Sequence, residues 1–260
     1  MILKKQFFSI CYAVGLFLCC LPQSIWAQEK DLNRKDRIFN NEFAVGIGFQ
    51  GRKLSLGLMY AKHLSQKQSL LFSLEATEIA SSKEKRNNNN RRSARNQNYI
   101  YGKVNNLYVT RLGIGQKFYF SEKNTDSDLS ISFSYQGGVS LGILKPYYLT
   151  LYYPTSGPNP VYITSVESYT AENSQYFLNP NHIAGAGGGR RGWDQLSTKP
   201  GLFAKASLWL DLDPRYTALG ALEIGAVADA FFSPIYILAE TKVNPLMFHV
   251  YATVYFGGRW

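Results

Sequence analysis

Beyond residue 27 the chain has no cysteine, since Cys11, Cys19 and Cys20 all precede it. That remainder can hold no disulfide, no thiol nucleophile and no Cys-based metal site. Histidine is as scarce: His63, His182 and His249 are too scattered to predict a metal centre. Charged residues make up only 18%. After the N-terminus no segment offers the ~18 consecutive apolar residues of a membrane-crossing helix, which excludes a helical membrane protein. The Gly-rich stretch "AGAGGGRRGWDQ" lacks the G-x-x-x-x-G-K-[ST] spacing and the strand–helix setting of a phosphate loop.

Rings and glycines are what the chain has in quantity, at 15% aromatic and 22 Gly. Few charges with many rings and glycines suit an all-β protein. The 260 residues suffice for one large domain or two small ones.

Lys4 and Lys5 precede the apolar stretch "FFSICYAVGLFLCCL", then "PQSIWA", and the chain turns polar at Gln28. This predicts a secretory signal over residues 1–27, cut after Ala27, and a short periplasmic segment over 28–41. A single N-terminal anchor is the alternative, but the apolar run is short for one. Lipidation at Cys19 or Cys20 wants small residues before the cysteine, and Leu18 and Cys19 are poor there. Cleavage leaves 26 basic against 18 acidic residues, a net charge of +8. An exported protein is not expected to meet nucleic acid; an anionic membrane surface or lipopolysaccharide is the expected counterpart.

Period-two alternation then recurs along the chain. "EFAVGIGFQ", "KLSLGLMYAKH", "QSLLFSLEAT", "NLYVTRLGIGQKFYF", "DLSISFSYQGGVSLGIL", "LFAKASLWLDL", "ALEIGAVADAFF" and the closing "HVYATVYFGGRW" each carry an apolar face. The opposite faces hold Gly, Ser and ionisable residues. A secreted soluble sandwich would turn the apolar faces inward. Long apolar faces on every strand are better explained by an inside-out closed barrel, apolar to lipid and polar to the lumen. The predicted fold is an all-β, eight-stranded antiparallel transmembrane β-barrel over residues 42–260, an up-and-down meander with long extracellular loops. Short polar links near "SQK", "SEKNTDSD" and "DPRYT" alternate with long ones near 80–104, 145–200 and 232–245, so every long link falls on one side; only the short first hairpin near "GRK" breaks the contrast.

The first long link contains "SSKEKRNNNNRRSARNQN", read as a solvated basic loop or as a contact for anionic lipopolysaccharide through residues such as Arg91 and Arg92. In the second, two aromatic runs flank "PTSGPNP" and predict a β-hairpin rising as an extension of the fifth strand. Tyr147, Tyr148, Tyr152 and Tyr153 there suit an interfacial girdle or a surface contact.

Some lipid A deacylase barrels use a His and a Ser near one rim, and "KHLSQ" offers His63 and Ser65. No flanking carboxylate is visible, and the topology places the pair at a periplasmic turn. His249 faces the lumen, where Asp229 or Glu223 could orient it, with no nucleophile beside it. Glu75, Arg111, Lys117, Lys205, Asp211, Glu223 and Asp229 also face inward in this register. An eight-stranded barrel is just wide enough for side chains to fill, and buried charges must pair. The expected result is a lumen ion-pair network, in which Arg111 or Lys205 meets Glu75, Glu223 or Asp229. It argues against an open porin.

Taken together, "YGKVNNLYVTRLGIGQ", "GGVSLGILKPYYL", "PGLFAKASLWLDL" and "YFGGRW" resemble an outer-membrane β-barrel family common in Bacteroidota. The similarity covers most of residues 42–260. It implies fold and location, with no assigned catalytic residue, substrate or cofactor. Barrels of this kind resemble the chain in ending on an aromatic that the insertion machinery reads, here Phe256 and Trp260. The expected role is structural or adaptor, docking onto a larger outer-membrane assembly or secretion complex. A narrow solute channel is the alternative, and a lipid-modifying enzyme a weaker one.

Overall fold

The computed structural model describes residues 39–65, 67–87, 98–120, 130–154, 162–211, 218–239 and 245–260. The expected leader, nearly all of the segment 28–41, and Arg91 and Arg92 lie outside the described residues. In chain order the strands are β1 (Asn41–Gln50), β2 (Lys53–His63), β3 (Gln68–Ile79), β4 (Arg86–Asn87), β5 (Tyr99–Ile100), β6 (Asn105–Tyr119) and β7 (Ser130–Pro146). They continue as β8 (Tyr148–Pro154), β9 (Tyr162–Ser168), β10 (Ile183–Ala186), β11 (Ser197–Asp211), β12 (Ala218–Phe231) and β13 (Leu246–Arg259). One turn of α-helix, α1 (Ser174–Phe177), and a 3-10 turn at Pro180–His182 lie between β9 and β10.

Eight of these strands close on themselves in the order β1-β13-β12-β11-β7-β6-β3-β2, each neighbour antiparallel. The seam pairs Val45 with Phe256 and Ile47 with Val254. Glycine lets the ladders approach: a Cβ at Gly257 would run into the carbonyl oxygen of Phe43, so that seam position accepts no side chain. No described helix is long and apolar enough to cross a membrane; in a barrel the strands do the crossing.

The alternation resolves into two surfaces. Phe43, Val45, Ile47 and Phe49 point out from β1, while Glu42, Ala44 and Gln50 point in and are buried. On β13 Phe248 and Val250 are 71% and 72% exposed, though as apolar as any core residue. Water would penalise such a continuous apolar exterior, and hydrocarbon would not. From Ile131 to Ile143 the outward face of β7 runs roughly 40 Å along the strand, or about 30 Å once tilted by ~40°, close to a hydrocarbon thickness.

The links 51–52, 80–104, 147–196 and 232–245 leave from one end of the barrel, called the loop end. The links 64–67, 120–129 and 212–217 leave from the other, the turn end. At the loop end a small cap is built. The expected hairpin is present as β8–β9, but it is not a plain extension of a barrel strand: β10 adds to β8 and makes a three-stranded sheet. The sequence concealed this because "IAGA" is too short and too small to read as a strand. Leu149, Leu151, Phe177, Ile183 and Tyr99 form the cap's own core.

Candidate functional site

The lumen and the cap are the two places where side chains converge. Below the cap the barrel mouth is filled by Ile235, Ile237 and Leu238, which pack on Ile79, Leu107, Val109, Leu144 and Phe231. The segment 232–239 thus folds inward as an apolar plug. Backbone bonds hold it: Val104 N–H donates to Ile237 O at 2.8 Å, and Lys103 bridges Leu238.

Beneath the plug lies a charged layer. Arg111 Nε donates to Asp229 Oδ1 at 2.8 Å and Nη2 donates to Oδ2 at 2.7 Å, a forked pair; Nη1 donates to Gln50 Oε1 at 3.0 Å. Lys205 Nζ donates to Glu75 and, at 3.2 Å, to Glu223 Oε2. Ser207 and Tyr251 each donate to Glu223 Oε1 at 2.7 Å. Every carboxylate and cation of this layer is therefore matched, as a low-dielectric interior requires. A small cavity remains between Gln50, Ser55, Glu75, Tyr251 and Tyr255.

Toward the turn end a third layer is aromatic. Trp209 is buried against Tyr255, ring centroids 4.9 Å apart, and its Nε1 donates to Ser134 Oγ at 2.9 Å. Lys117 Nζ sits 4.5 Å over the Trp209 ring and 3.9 Å from Glu42 Oε2. Arg259 spans the closing seam, donating to Glu42 Oε1 at 3.0 Å and to Asp211.

The turn end also gathers Ser69, His63 and Glu42. Ser69 Oγ lies 2.6 Å from His63 Nδ1, and His63 Nε2 lies 3.1 Å from Glu42 Oε1. The side-chain types are those of a hydrolytic triad. Yet Ser69 is 0% exposed, so no substrate carbonyl reaches the hydroxyl. Ser69 also donates to Tyr119, and Glu42 is shared with Arg259. We read the group as a latch that ties β1, β2, β3, β6 and β13 together. Sequence reasoning paired His63 with Ser65 and saw no carboxylate; the partners are Ser69 and Glu42, brought in by register.

All eight residues expected in the lumen network face inward. Seven join pairs: Arg111 with Asp229, Lys205 with Glu75 and Glu223, Lys117 with Glu42, and Asp211 with Arg259. His249 does not. Its Nε2 is buried and has no hydrogen-bond partner among the described residues, so neither Asp229 nor Glu223 orients it through a hydrogen bond. The geometric reason is register: His249 stands opposite Val227, with Asp229 and Glu223 paired elsewhere. Glu42, Gln50, Tyr251 and Arg259 were missed. Inward parity marks each of them, but sequence gives no sign of which would meet.

The four expected surface tyrosines divide. Tyr147 and Tyr153 pack on the cap core; Tyr147 OH accepts from Ile100 N–H at 3.3 Å, and Tyr153 OH donates to Glu167 Oε2 at 2.8 Å. Tyr148 OH donates to Gln195 Oε1, and Tyr152 meets Tyr162 edge-on. All four are half-buried against the cap itself, and hydrogen bonds and ring contacts within it hold them. Phe256 and Trp260 face outward and are 64% and 59% exposed.

The Tyr153–Glu167 pair is the electrostatic centre of the cap. Burial works to raise the Glu167 carboxyl, but donors on Asn173, Ser165 and Tyr153 outweigh it and hold it below the usual carboxylate range. Burial, with the neighbouring Glu167 carboxylate, pushes the Tyr153 phenol up to about 12.

Neither a protein family nor a curated protein sequence matches this chain. Among solved structures it is similar to Ail, the attachment invasion locus protein of Yersinia pestis, both alone and in complex with the heparin analogue sucrose octasulfate. Identity is 10%, covering 85% of this chain and 95% of that chain, with a TM-score of 0.35. It is also similar to Neisserial surface protein A, at 10% identity, 85% and 94% coverage and a TM-score of 0.31.

Proposed function

We propose that the chain is an integral outer-membrane barrel with a structural or adaptor role, presenting its loop-end cap to a larger envelope assembly. The observation that carries this reading is the combination of an apolar outer band with a filled lumen: an aromatic layer, a paired charged layer and an apolar plug lie in series. A conduit has no use for three seals. A built cap with its own hydrophobic core has one in recognition. Supporting the location are the exposed outward rings Phe43, Phe49, Phe248 and Phe256. Export by a leader, insertion by barrel-assembly machinery through the Phe256 and Trp260 rings, and membership of a Bacteroidota envelope family belong to the same reading.

Conductance in planar bilayers tests it. The purified chain is expected to insert without a stable pore; reproducible unitary steps would replace the adaptor with the narrow-channel reading. Gentle extraction from the native membrane should retain a specific companion protein, and Tyr162→Ser with Ile163→Ser, exposed on β9, should release it.

A further inference from the structure

One element of the loop end has no part in closing the lumen or building the cap core: the turn 187–195, "GGGRRGWDQ". It is held rigidly. Gly187 N–H donates to Tyr148 O at 2.7 Å. Lys145, itself buried, donates through Nζ to Gly189 O and lies 4.3 Å from the centroid of the Trp193 ring. Gly188 and Gly192 take φ of +94° and +82°, left-handed values that bracket Arg190 and Arg191.

The turn is anchored on the barrel's outer wall. Trp193 stacks on Tyr108, centroids 5.9 Å apart and planes at 21°. Tyr108 points outward from β6 beside Ile143 of β7, above the exposed Leu112 and Ile114 of the apolar band. Trp193 remains 55% exposed. An indole and a phenol stacked at the rim of an apolar band mark the headgroup level of a bilayer. Arg190 and Arg191 are exposed in the same turn, within three residues of Trp193, and neither pairs with an acid among the described residues; the neighbouring Asp194 is exposed and pairs with neither. Two unmatched guanidiniums on a turn anchored at that rim match phosphate, which they can grip in bidentate fashion.

We propose that the turn 187–195 binds the phosphate of an outer-leaflet lipid headgroup through Arg190 and Arg191, with Trp193 and Tyr108 setting its depth. The proposal rests on the membrane reading above. The ligand is lipid-borne phosphate, presented beside the wall, and the site serves as an annular clamp.

Native mass spectrometry of the full chain in detergent tests it, using lipid A with both phosphates, the same lipid stripped of phosphate, and inorganic phosphate as probes. The wild type should prefer the phosphorylated lipid by about 25-fold, roughly fivefold for each arginine. The R190Q/R191Q variant should lose that preference, and Lys62→Gln, an exposed outward lysine at the turn end, should keep it. Equal preference in the double variant, no preference in the wild type, or equal occupancy by inorganic phosphate would each overturn the site. Heat-modifiable migration separates the two readings. A chain that inserts into lipid without preference loses the clamp alone; one that never inserts loses the membrane reading with it.

Discussion

Arg111 and Asp229 meet across the lumen in a two-pronged pair, at 2.8 and 2.7 Å, with Asp229 wholly buried. They are 118 positions apart and sit on strands that are not neighbours in the sheet. Asp229→Ala would take away the forked partner and leave the buried guanidinium only Glu75, 3.6 Å away and already bound to Lys205. The expected cost is about 3–5 kcal/mol, whereas the double change Arg111→Met with Asp229→Leu should cost less, because it leaves no orphan charge. Urea unfolding in detergent, followed by the heat-modifiable band, measures both.

Trp209 supplies the aromatic layer with both bulk and a donor. Trp209→Ala should destabilise by roughly 3–5 kcal/mol through a cavity beside Tyr255 and Met59. Trp209→Phe keeps most of the volume but removes the indole donor to Ser134 Oγ, which keeps its bond to Ser207 Oγ, for a loss of about 1 kcal/mol. A larger loss for the Phe variant than for the Ala variant would disprove this ranking.

The plug is predicted to be separable from the barrel. Ile237→Asp puts a carboxylate among Leu107, Leu144 and Phe231 with no partner. The 232–245 link should become sensitive to protease while the strands still give a folded band on gels. If both fail together, the plug is part of the barrel's folding unit.

Acid and alkali should loosen the cap from opposite directions. The folded Glu167 carboxyl lies below its ordinary value of 4.5, so its contribution is present above that value and is lost as pH falls through the folded pKa. The Tyr153 phenol lies above its ordinary 10.0, so its contribution is intact below 10 and is lost as pH rises toward about 12. Cap protection against hydrogen exchange should therefore plateau between those limits. Glu167→Gln should flatten the acid limb and Tyr153→Phe the alkaline one.

His249 is the polar lumen residue whose replacement should be harmless. With Nε2 buried and lacking a partner among the described residues, His249→Phe is expected to be neutral or stabilising by a few tenths of a kcal/mol. A loss above about 1 kcal/mol in urea would show that the ring has a role the geometry does not contain.

Much of the barrel was legible because a strand's side chains alternate with period two. One count of parity assigned Glu75, Arg111, Lys205 and Asp229 to the lumen and Phe248 and Val250 to the exterior. The cap was less legible. Its third strand is only Ile183–Ala186, and its core borrows Tyr99 and Phe177 from separate links. Short strands carry too few residues for a period to show.

By itself, then, the sequence determined which face of each strand is apolar, and hence that the barrel turns inside out, because alternation is local and needs no partner. Only the tertiary structure decided who meets whom. Glu42 and Arg259 lie 217 positions apart and touch because closure sets β1 against β13 in one register. A slip of β13 by one residue would turn Arg259 to the outer face and leave Glu42 without it. Register between neighbouring strands brought Ser69 and Glu42 to His63 and set His249 opposite Val227, and the segment after β12 carried Ile237 into the mouth. Parity fixes a side chain's direction along one strand; its neighbour is fixed by stagger between strands, which only their pairing in the ring specifies.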